Sequence, residues 1–342
     1  MKAEPEGSAI TTVSQRIIRG GQISVWRNPG FWLLMLVVLL VGLWPIFTQS
    51  AATREVIFTI FLNIVLVSSL NIILGYTGYV SFSHIVFFGL GGYVGFYLIS
   101  VFGTSLWLAL AAGGLSAGLL AFLLGKAILR LRGAYFALAT IGINEAMRAF
   151  INNFGPFGGP TGLSINFSVY NAYGGASQAL WLTYYLIIAL TLGTILLSYL
   201  VKISKFGLSL MAIREDEDAA EVMGVITPNA KTWAYVLSAI LPGVVGVLFF
   251  FKNGNVEPGD AFRLNYSIEL LVMVMLGGFG TVSGPVLGAG GYQRLRGFLL
   301  VRFTNIQLTI AGVLLLVIIL FIPAGLVGWL RNRFPALRRF LI

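Results

Sequence analysis

The sequence predicts an all-α polytopic membrane protein with about ten transmembrane helices, some interrupted by glycine, and with both termini in the cytoplasm. Of its 342 residues, 58% are hydrophobic and only 10% are charged, whereas about a quarter of the residues in a soluble domain are charged. Apolar runs of roughly 20 residues, the length that crosses a bilayer, recur along the chain. Basic residues collect in short clusters between these runs, as expected for the cytoplasmic loops of a membrane protein.

The candidate spans follow from the apolar runs, and the eighth and ninth are short and broken by glycine. They cover residues 31–48, 56–74, 80–101, 106–125, 133–151, 180–201, 232–251, 266–276, 282–300 and 306–323. We therefore divide the chain into a cytoplasmic N-terminal segment (1–30), a transmembrane domain (31–330) with a cytoplasmic loop at 202–231, and a basic cytoplasmic tail (331–342).

The basic residues set the orientation, because they concentrate on the cytoplasmic side. With the N-terminus inside, most of the 22 Lys and Arg residues fall in cytoplasmic segments, and the loop 152–178, which has neither, lies outside. The seven exceptions are Arg54, Arg148, Lys252, Arg263, Arg294, Arg296 and Arg302. The last three fit this topology least well, because it puts them at the outer end of the ninth span.

The most strongly charged segment of the chain is LSLMAIREDEDAAEVMG, residues 208–224, which holds five of the twelve acidic residues. At helical spacing its apolar residues form one stripe and its charges another, so we expect one amphipathic helix. Gly224 is placed to end this helix and Pro228 to prevent its continuation. From the residues alone, a solvated loop helix and a docking element for a cytosolic partner are equally good interpretations.

A faint repeat suggests a duplicated architecture. LGYTGYVS at 74–81 resembles LGGFGTVS at 276–283, and GGY occurs at both 91–93 and 290–292. Glycine-rich backbone at membrane depth must be buried or line a wet cavity. We therefore predict that some polar and small residues line a solute path, while most glycines allow close helix packing. The candidates for the path are Gly75, Gly78, Ser81, Ser83, His84 and Glu145.

The charged residues within spans have simpler interpretations. Glu145 and Arg148 are spaced to pair with each other, and Glu269 lies where the dipole of a helix N-terminus would favour an acid. His84, with no acid near it in sequence, is interpreted as a structural residue rather than a proton relay.

Several function classes are disfavoured by composition. The chain has no cysteine and one histidine, which excludes disulfides and multi-histidine metal sites. No phosphate-binding loop or catalytic cluster is evident. We therefore expect no enzyme activity, no cofactor and no metal. We also expect no nucleic-acid binding, because the basic residues do not form one basic domain.

The ordered motifs resemble the membrane subunits of branched-chain amino-acid ABC importers of the LivM type. The similar stretches are residues 74–93, 135–153 (YFALATIGINEAMRAFINN), 158–163 (GGPTGL), 206–225 (FGLSLMAIREDEDAAEVMGV), 267–289 and 322–330 (IPAGLVGWL). The sequence departs from the family pattern at three positions. Tyr79 and Ser83 stand where glutamine and glycine are common, and Asp216 stands where asparagine is common.

The resemblance implies a permease of a bacterial inner membrane, paired with a paralogous permease and working with cytosolic ATPases and a periplasmic solute-binding protein. It implies that the charged segment is the coupling helix, with ATPase contact through Arg214, Glu215, Asp216, Glu217, Asp218, Ala219, Ala220 and Gly224. The outer loops 152–178 and 252–265 would contact the binding protein.

Branched-chain amino acids are the solutes that the resemblance implies first. Urea or short amides, carried by related permeases, remain an alternative. An ion-coupled secondary transporter is a second alternative, although such proteins normally need buried coupling groups. A membrane enzyme or a structural scaffold is a third.

Overall fold

The computed structural model describes residues 28–302, 312–313 and 325–334, and within them the protein is built almost entirely of α-helices. The helices are α1 (Pro29–Thr48), α2 (Ala51–Thr77), α3 (His84–Phe102), α4 (Leu106–Ile128), α5 (Ala134–Asn152), α6 (Ala176–Ile203), α7 (Lys205–Glu215), α8 (Glu217–Val222), α9 (Thr227–Asn253), α10 (Pro258–Ala261), α11 (Leu264–Gly277), α12 (Ser283–Arg302) and α13 (Gly325–Arg333).

Six of these helices, α1 to α4, α6 and α9, are long and apolar enough to cross a membrane. They correspond to six of the ten predicted spans. The fifth, eighth and ninth predicted spans are also helical, as α5, α11 and α12, but α11 has only 14 residues. The tenth predicted span lies outside the described residues except for Gly312 and Val313, as do most of the predicted N-terminal segment and basic tail.

Helix α2 forms the centre of the bundle. It packs against α1, α6, α7, α9, α11 and α12. Of its apolar stretch of 18 residues, 83% are buried, the largest share among the six spans. Its sequence is apolar on all sides, as expected for an enclosed helix. Several of its buried polar residues are paired within the protein; for example, the Asn63 side chain donates to the Thr59 carbonyl at 3.0 Å and accepts from Tyr266 at 2.7 Å.

Glycines allow α3, α4 and α9 to touch closely. A Cβ built on Gly91 would lie 2.4 Å from the Gly243 Cα atom, and one built on Gly246 would lie 2.1 Å from the Phe88 carbonyl oxygen. Neither position has room for a side chain. The interpretation of these glycines as helix-packing residues therefore holds for this interface.

The two copies of the LGxxGxVS repeat form similar helix ends that meet inside the protein. Gly78 ends α2 with φ +77°, and Gly280 lies in the α11–α12 turn with φ +73°, a backbone conformation that glycine adopts without strain. Asn71 of α2 joins the two, because its side chain donates to the Thr281 carbonyl and accepts from the Gly280 amide, both at 2.9 Å. The third predicted span therefore begins at His84 rather than at Val80.

At the opposite end of the bundle, two loops are tied into one surface. Residues 155–157, 159–161 and 167–173 form short 3₁₀ segments, and β1 (Leu163–Ser164) pairs antiparallel with β2 (Asn255–Val256). The Tyr170 hydroxyl also donates to the Phe251 carbonyl at 2.7 Å. The loops between α5 and α6 and between α9 and α11 are thus held together.

Candidate functional site

The charged segment 208–224 forms two helices, not the single helix that its periodicity predicts. Asp216 interrupts the segment with an extended backbone, and its side chain caps α8 by accepting from the amides of Asp218 at 2.9 Å and Ala219 at 3.0 Å. Aspartate is a preferred N-cap because it satisfies amides that have no partner within the helix. The prediction was wrong here because a capping signal in mid-segment outweighs a continuous amphipathic pattern.

The other end of α8 stops where the sequence predicts. Gly224 has φ +90°, its amide donates to the Glu221 carbonyl at 2.9 Å, and the Val225 amide donates to the Ala220 carbonyl at 3.0 Å. This pair of bonds is a Schellman motif, a common glycine-dependent helix end. α8 is therefore a short helix with a defined beginning and end.

The apolar side chains of this segment divide between the protein interior and the surface. Ala220 is buried, whereas Val222, Met223 and Ile226 are 87%, 84% and 68% exposed. We call these three exposed residues the α8 apolar tip. Adjacent exposed apolar side chains on a rigid element are typical of a contact surface for another protein.

A buried charge cluster fixes α8 to the bundle. One Glu217 carboxylate oxygen accepts from the Lys231 ammonium at 2.5 Å, and the other accepts from the Tyr79 hydroxyl at 2.8 Å. The ammonium also donates to the Tyr79 hydroxyl and the Leu129 carbonyl, both at 3.0 Å. These contacts join α8 to the ends of α2 and α4 and to the first turn of α9.

The cluster shifts the pKa values of its members. Burial acts to raise the pKa of the Glu217 carboxyl, but hydrogen bonds from Lys231 and Tyr79 and the charges of Lys231 and Arg132 outweigh it, so the pKa lies below its usual range. Burial, together with the hydrogen bond to Glu217 and the charge of Glu217, raises the pKa of the Tyr79 hydroxyl. Glu217 is thus ionised and Tyr79 neutral at physiological pH.

Arg132, in the turn between α4 and α5, adds a solvent-exposed layer to this cluster. Its Nη2 atom lies 2.9 Å from Asp218 Oδ1, and its Nε atom lies 3.5 Å from Glu217 Oε2. The hydrogen bond from Arg132 lowers the pKa of the Asp218 carboxyl. Because both side chains of the Arg132–Asp218 pair are exposed, the pair adds little to stability.

Arg214, at the end of α7, contacts both copies of the repeat. Its Nη1 atom donates to the Gly75 carbonyl at 2.9 Å, and its Nη2 atom lies 3.0 Å from the Glu215 carboxylate. Its aliphatic part packs on Gly78, and its guanidinium lies beside Gly280. Arg214 therefore links α7 to both helix ends.

Five of the six predicted path residues lie near the α2–α3 turn, and the sixth, Glu145, lies apart from them on α5. Gly75, Ser81, Ser83 and His84 are buried around the α2–α3 turn, whereas Gly78 is exposed under Arg214. The hydroxyls of Ser81 and Ser83 lie 2.8 Å apart, and Ser83 also bonds to Tyr235 of α9.

His84 lies beside the Ser69 backbone, and its ring meets that of Phe87 edge-on. Glu145 is separate from this group, on the exposed face of α5, with its carboxylate 3.8 Å from the Arg148 guanidinium. The pairing predicted from their spacing is confirmed.

Sequence reasoning missed the residues that make the longest-range contacts. Lys231, Tyr79 and Asn71 are separated from their partners by 14 to 210 positions, and no local pattern connects them. Glu269 is the sixth residue of α11, beyond its first turn, so the helix-dipole interpretation was wrong. Its carboxylate is instead paired with Arg296 at 2.9 Å. Two signals in the sequence were available: the departure from the family pattern at Tyr79, and the position of Arg296 on the side of the membrane where basic residues are uncommon.

Comparison with known proteins assigns the chain to a family. A sequence model described as "Branched-chain amino acid transport system / permease component" matches residues 52–323. The chain belongs to this permease family. The match covers α2 to α12, including α8 and both repeat copies.

Individual relatives agree with this assignment. The permease is 29% identical over 324 residues to the high-affinity branched-chain amino acid transport system permease protein LivM of Escherichia coli (strain K12), covering 88% of this chain and 75% of that protein. The LivM protein of Salmonella typhimurium is 27% identical, with 87% and 75% covered. The LivH permease protein of Salmonella typhimurium is 26% identical over 140 residues, 40% of this chain and 44% of that protein. No solved structure matches the permease.

Proposed function

We propose that this permease is the membrane subunit of an ATP-driven importer of branched-chain amino acids, and that α8 is the element through which ATPase subunits drive it. Relatives over most of the chain are named for branched-chain amino-acid transport. The observation that carries the coupling role is a contrast within residues 217–226: Ala220 is buried and Glu217 largely so, whereas Val222, Met223 and Ile226 are exposed.

The contacts of α8 suggest how force reaches the spans. A cytosolic ATPase that binds the α8 apolar tip pulls on Glu217, which is bonded to Lys231 of α9 and to Tyr79 after α2. Arg214 passes the same movement to Gly75 and to the α11–α12 turn. In this proposal Glu215, Asp218 and Ala219 face the ATPase, Asp216 and Gly224 fix the ends of α8, and rocking of the connected helices opens the path alternately to each side.

We place the path beside α5, whose outward face has no covering helix among the described residues. Tyr135, Leu138 and Glu145 on that face are exposed, and a Cβ on Gly142 would meet nothing within 4 Å. A carboxylate facing lipid is costly, so we expect this face to meet water and a paired permease. The existence of both LivM and LivH relatives supports such a pair.

The remaining path candidates, Gly75, Gly78, Ser81, Ser83 and His84, lie at the α2–α3 turn between α8 and the centre of the bundle. We propose that this turn forms the closed part of the path and opens when α7 and α8 move. We propose that a periplasmic binding protein contacts the loops between α5 and α6 and between α9 and α11, which are joined by the β1–β2 pair. The location that fits these partners is a bacterial inner membrane.

Urea or a short amide is the alternative solute, and an ion-coupled transporter is the alternative mechanism. A coupling acid must reach the path, but among the described residues Glu269 is paired with Arg296 and Glu145 with Arg148. Strict dependence of uptake on ATP, with no dependence on an ion gradient, distinguishes the importer from the ion-coupled alternative.

The test is co-purification in mild detergent of the wild-type chain and of a Val222→Glu/Met223→Glu variant, with the recovered proteins identified by mass. Both side chains are almost fully exposed, so their replacement leaves the bundle folded. We expect the wild type to recover ATPases and a second permease, and the variant to lose at least about nine-tenths of the ATPase while keeping the permease, since a few apolar anchors dominate an interface.

Lys205→Glu, a charge reversal at the exposed first residue of α7, is the matched control and keeps the ATPase. A variant that binds ATPase as well as wild type contradicts the role of the apolar tip. A wild-type chain that purifies alone, and moves solute along an ion gradient in liposomes, contradicts the importer proposal.

A further inference from the structure

A polar cavity lies at the end of the bundle opposite α8. It has a volume of about 280 Å³ and is lined by residues of α2, α3, α9, α11 and α12 and of the loop from α9 to α11. From the start of α9 beside α8 to its end at the cavity is about 40 Å, at ~1.5 Å per residue. Its size is close to the lower end of ligand pockets, roughly 300 Å³, and suits a small metabolite.

The charges lining the cavity are balanced. Arg263 and Arg296 supply two positive charges, and Glu257 and Asp260 supply two negative charges. Arg263, Glu257 and Asp260 are exposed. A cavity with separate cationic and anionic groups at its wall complements a solute that carries both charges, whereas an uncharged solute can form hydrogen bonds with these groups but no ion pair.

The Arg296 side chain is oriented by one hydrogen bond, but not all of its donors have a partner among the described residues. Its Nη1 atom donates to Glu269 Oε2 at 2.9 Å, which orients the guanidinium. Its Nε atom is buried without a hydrogen-bond partner in the described part of the chain. Buried donors are rarely left unsatisfied, and arginine at this end of the bundle is contrary to the usual distribution of basic residues. An arginine placed in a span at such a cost is a candidate for ligand binding.

The inner wall of the cavity is apolar. Phe88 of α3 contacts Phe249 and Phe250 of α9, with ring centroids 5.5 and 5.3 Å apart, and Leu62 of α2 lines the same cavity. An aliphatic side chain seated against this wall is removed from water at no cost in polar groups. The cavity therefore combines a charged rim with an apolar inner wall.

We propose that this cavity binds the free amino acid as a zwitterion on its way into the path. The α-carboxylate contacts Arg263 and Arg296, the α-ammonium contacts Glu257 or Asp260, and the aliphatic side chain packs on Phe88 and Phe250. This inference rests on the proposed function for its solute class. It adds a selective site within the permease, distinct from any site in a binding protein.

Direct binding tests the site. The full-length permease, with whatever subunits co-purify but without a soluble binding protein, is titrated with radiolabelled leucine. We expect saturable binding. 4-Methylpentanoate, which is leucine without the ammonium group, and isoamylamine, which is leucine without the carboxylate, should each displace leucine at least about tenfold less well than leucine itself does. That factor is the loss expected for one charge-assisted hydrogen bond. Isovaleramide and urea should displace more weakly still.

Variants connect this binding to the cavity. Arg263→Gln and Asp260→Asn change exposed groups and should each weaken leucine binding by about tenfold or more. Arg294→Gln, an exposed arginine two positions from Arg296 that does not line the cavity, should bind leucine as wild type does. No saturable leucine binding to the wild type, unchanged binding in both cavity variants, or displacement by isovaleramide equal to that by leucine overturns the proposal.

Parallel uptake assays separate this proposal from the proposed function. ATP-driven leucine uptake by the reconstituted wild-type complex, together with unaltered binding in the cavity variants, leaves the importer function intact and removes the site. Leucine binding that depends on Arg263 and Asp260, without ATP-driven uptake, leaves the site intact and removes the importer function.

Discussion

Two largely buried ion pairs of the described residues lie at opposite ends of the bundle, and they differ in how completely their donors are paired. At the α8 end, the Lys231 ammonium uses all three of its donors, on Glu217, Tyr79 and Leu129. At the other end, Arg296 bonds to Glu269, but its Nε atom has no partner in the described region. The Lys231 ammonium has no donor left for another group, whereas the Arg296 guanidinium does. We infer that the first anchors a structural element and the second helps bind a solute.

Replacing Lys231 should have the largest effect on stability and uptake. Lys231→Met leaves the largely buried Glu217 carboxylate without its counter-ion, and breaking one partner of such a pair costs about 3–5 kcal/mol. We expect a matching fall in the free energy of unfolding in detergent, together with loss of ATP-driven uptake. The double variant Lys231→Met/Glu217→Leu should recover much of the stability but not the uptake. A single variant as stable as wild type would mean that the pair is not an anchor.

A conservative exchange at the other pair should separate folding from binding. Arg296→Lys keeps a positive charge beside Glu269, so we expect unfolding free energy within about 1 kcal/mol of wild type. It removes the Nε donor and the planar fork that suits a carboxylate, so leucine affinity should fall about tenfold. Thermal unfolding and leucine titration of the same preparation measure both. A variant that binds leucine normally would show that the free donor of Arg296 plays no part.

The pH dependence of α8 should reflect Glu217. Because the folded state lowers the pKa of this carboxyl, its stabilising effect is complete above its ordinary pKa and is lost as the pH falls through the lower, folded value. Amide hydrogen exchange in residues 217–222 should therefore be slow from neutral pH down to the ordinary carboxyl range and accelerate below it, after correction for the intrinsic rate. Glu217→Gln should remove this acid-dependent change, and Asp218→Asn should retain most of it. If the Gln variant keeps the full dependence, another group is responsible.

The smallest effect is expected at the exposed Arg132–Asp218 pair. Arg132→Gln removes a solvent-exposed salt bridge, and such pairs contribute little. Unfolding of this variant should match wild type within experimental error. A clear loss of stability would show that the 3.5 Å contact between Arg132 and Glu217 also stabilises α8. The Lys231–Glu217 pair would then be part of a triad with Arg132.

The sequence predicts much of the fold but little of this comparison. Six spans follow from apolar length alone, and the glycine at position 224 marks the end of α8 correctly. The interruption at Asp216 was missed because 3.6-residue periodicity continues through it, while the cap depends on the backbone conformation of one residue. The contacts of Lys231 with Tyr79 and of Asn71 with Gly280 cross 152 and 209 positions, and only tertiary packing brings them together.

The enclosure of α2 has a consequence for how the protein is made. This helix leaves the ribosome second among the described spans. The helices that surround it include α6, α9, α11 and α12, and α12 begins at Ser283, long after α2 ends at Thr77. Its apolar surface permits entry into lipid at once, yet Asn63 and Asn71 gain their partners Tyr266 and Thr281 only after α11 and the turn beyond it have been synthesised. The final core is therefore assembled within the bilayer after insertion, and truncation before residue 264 leaves the central helix without these partners.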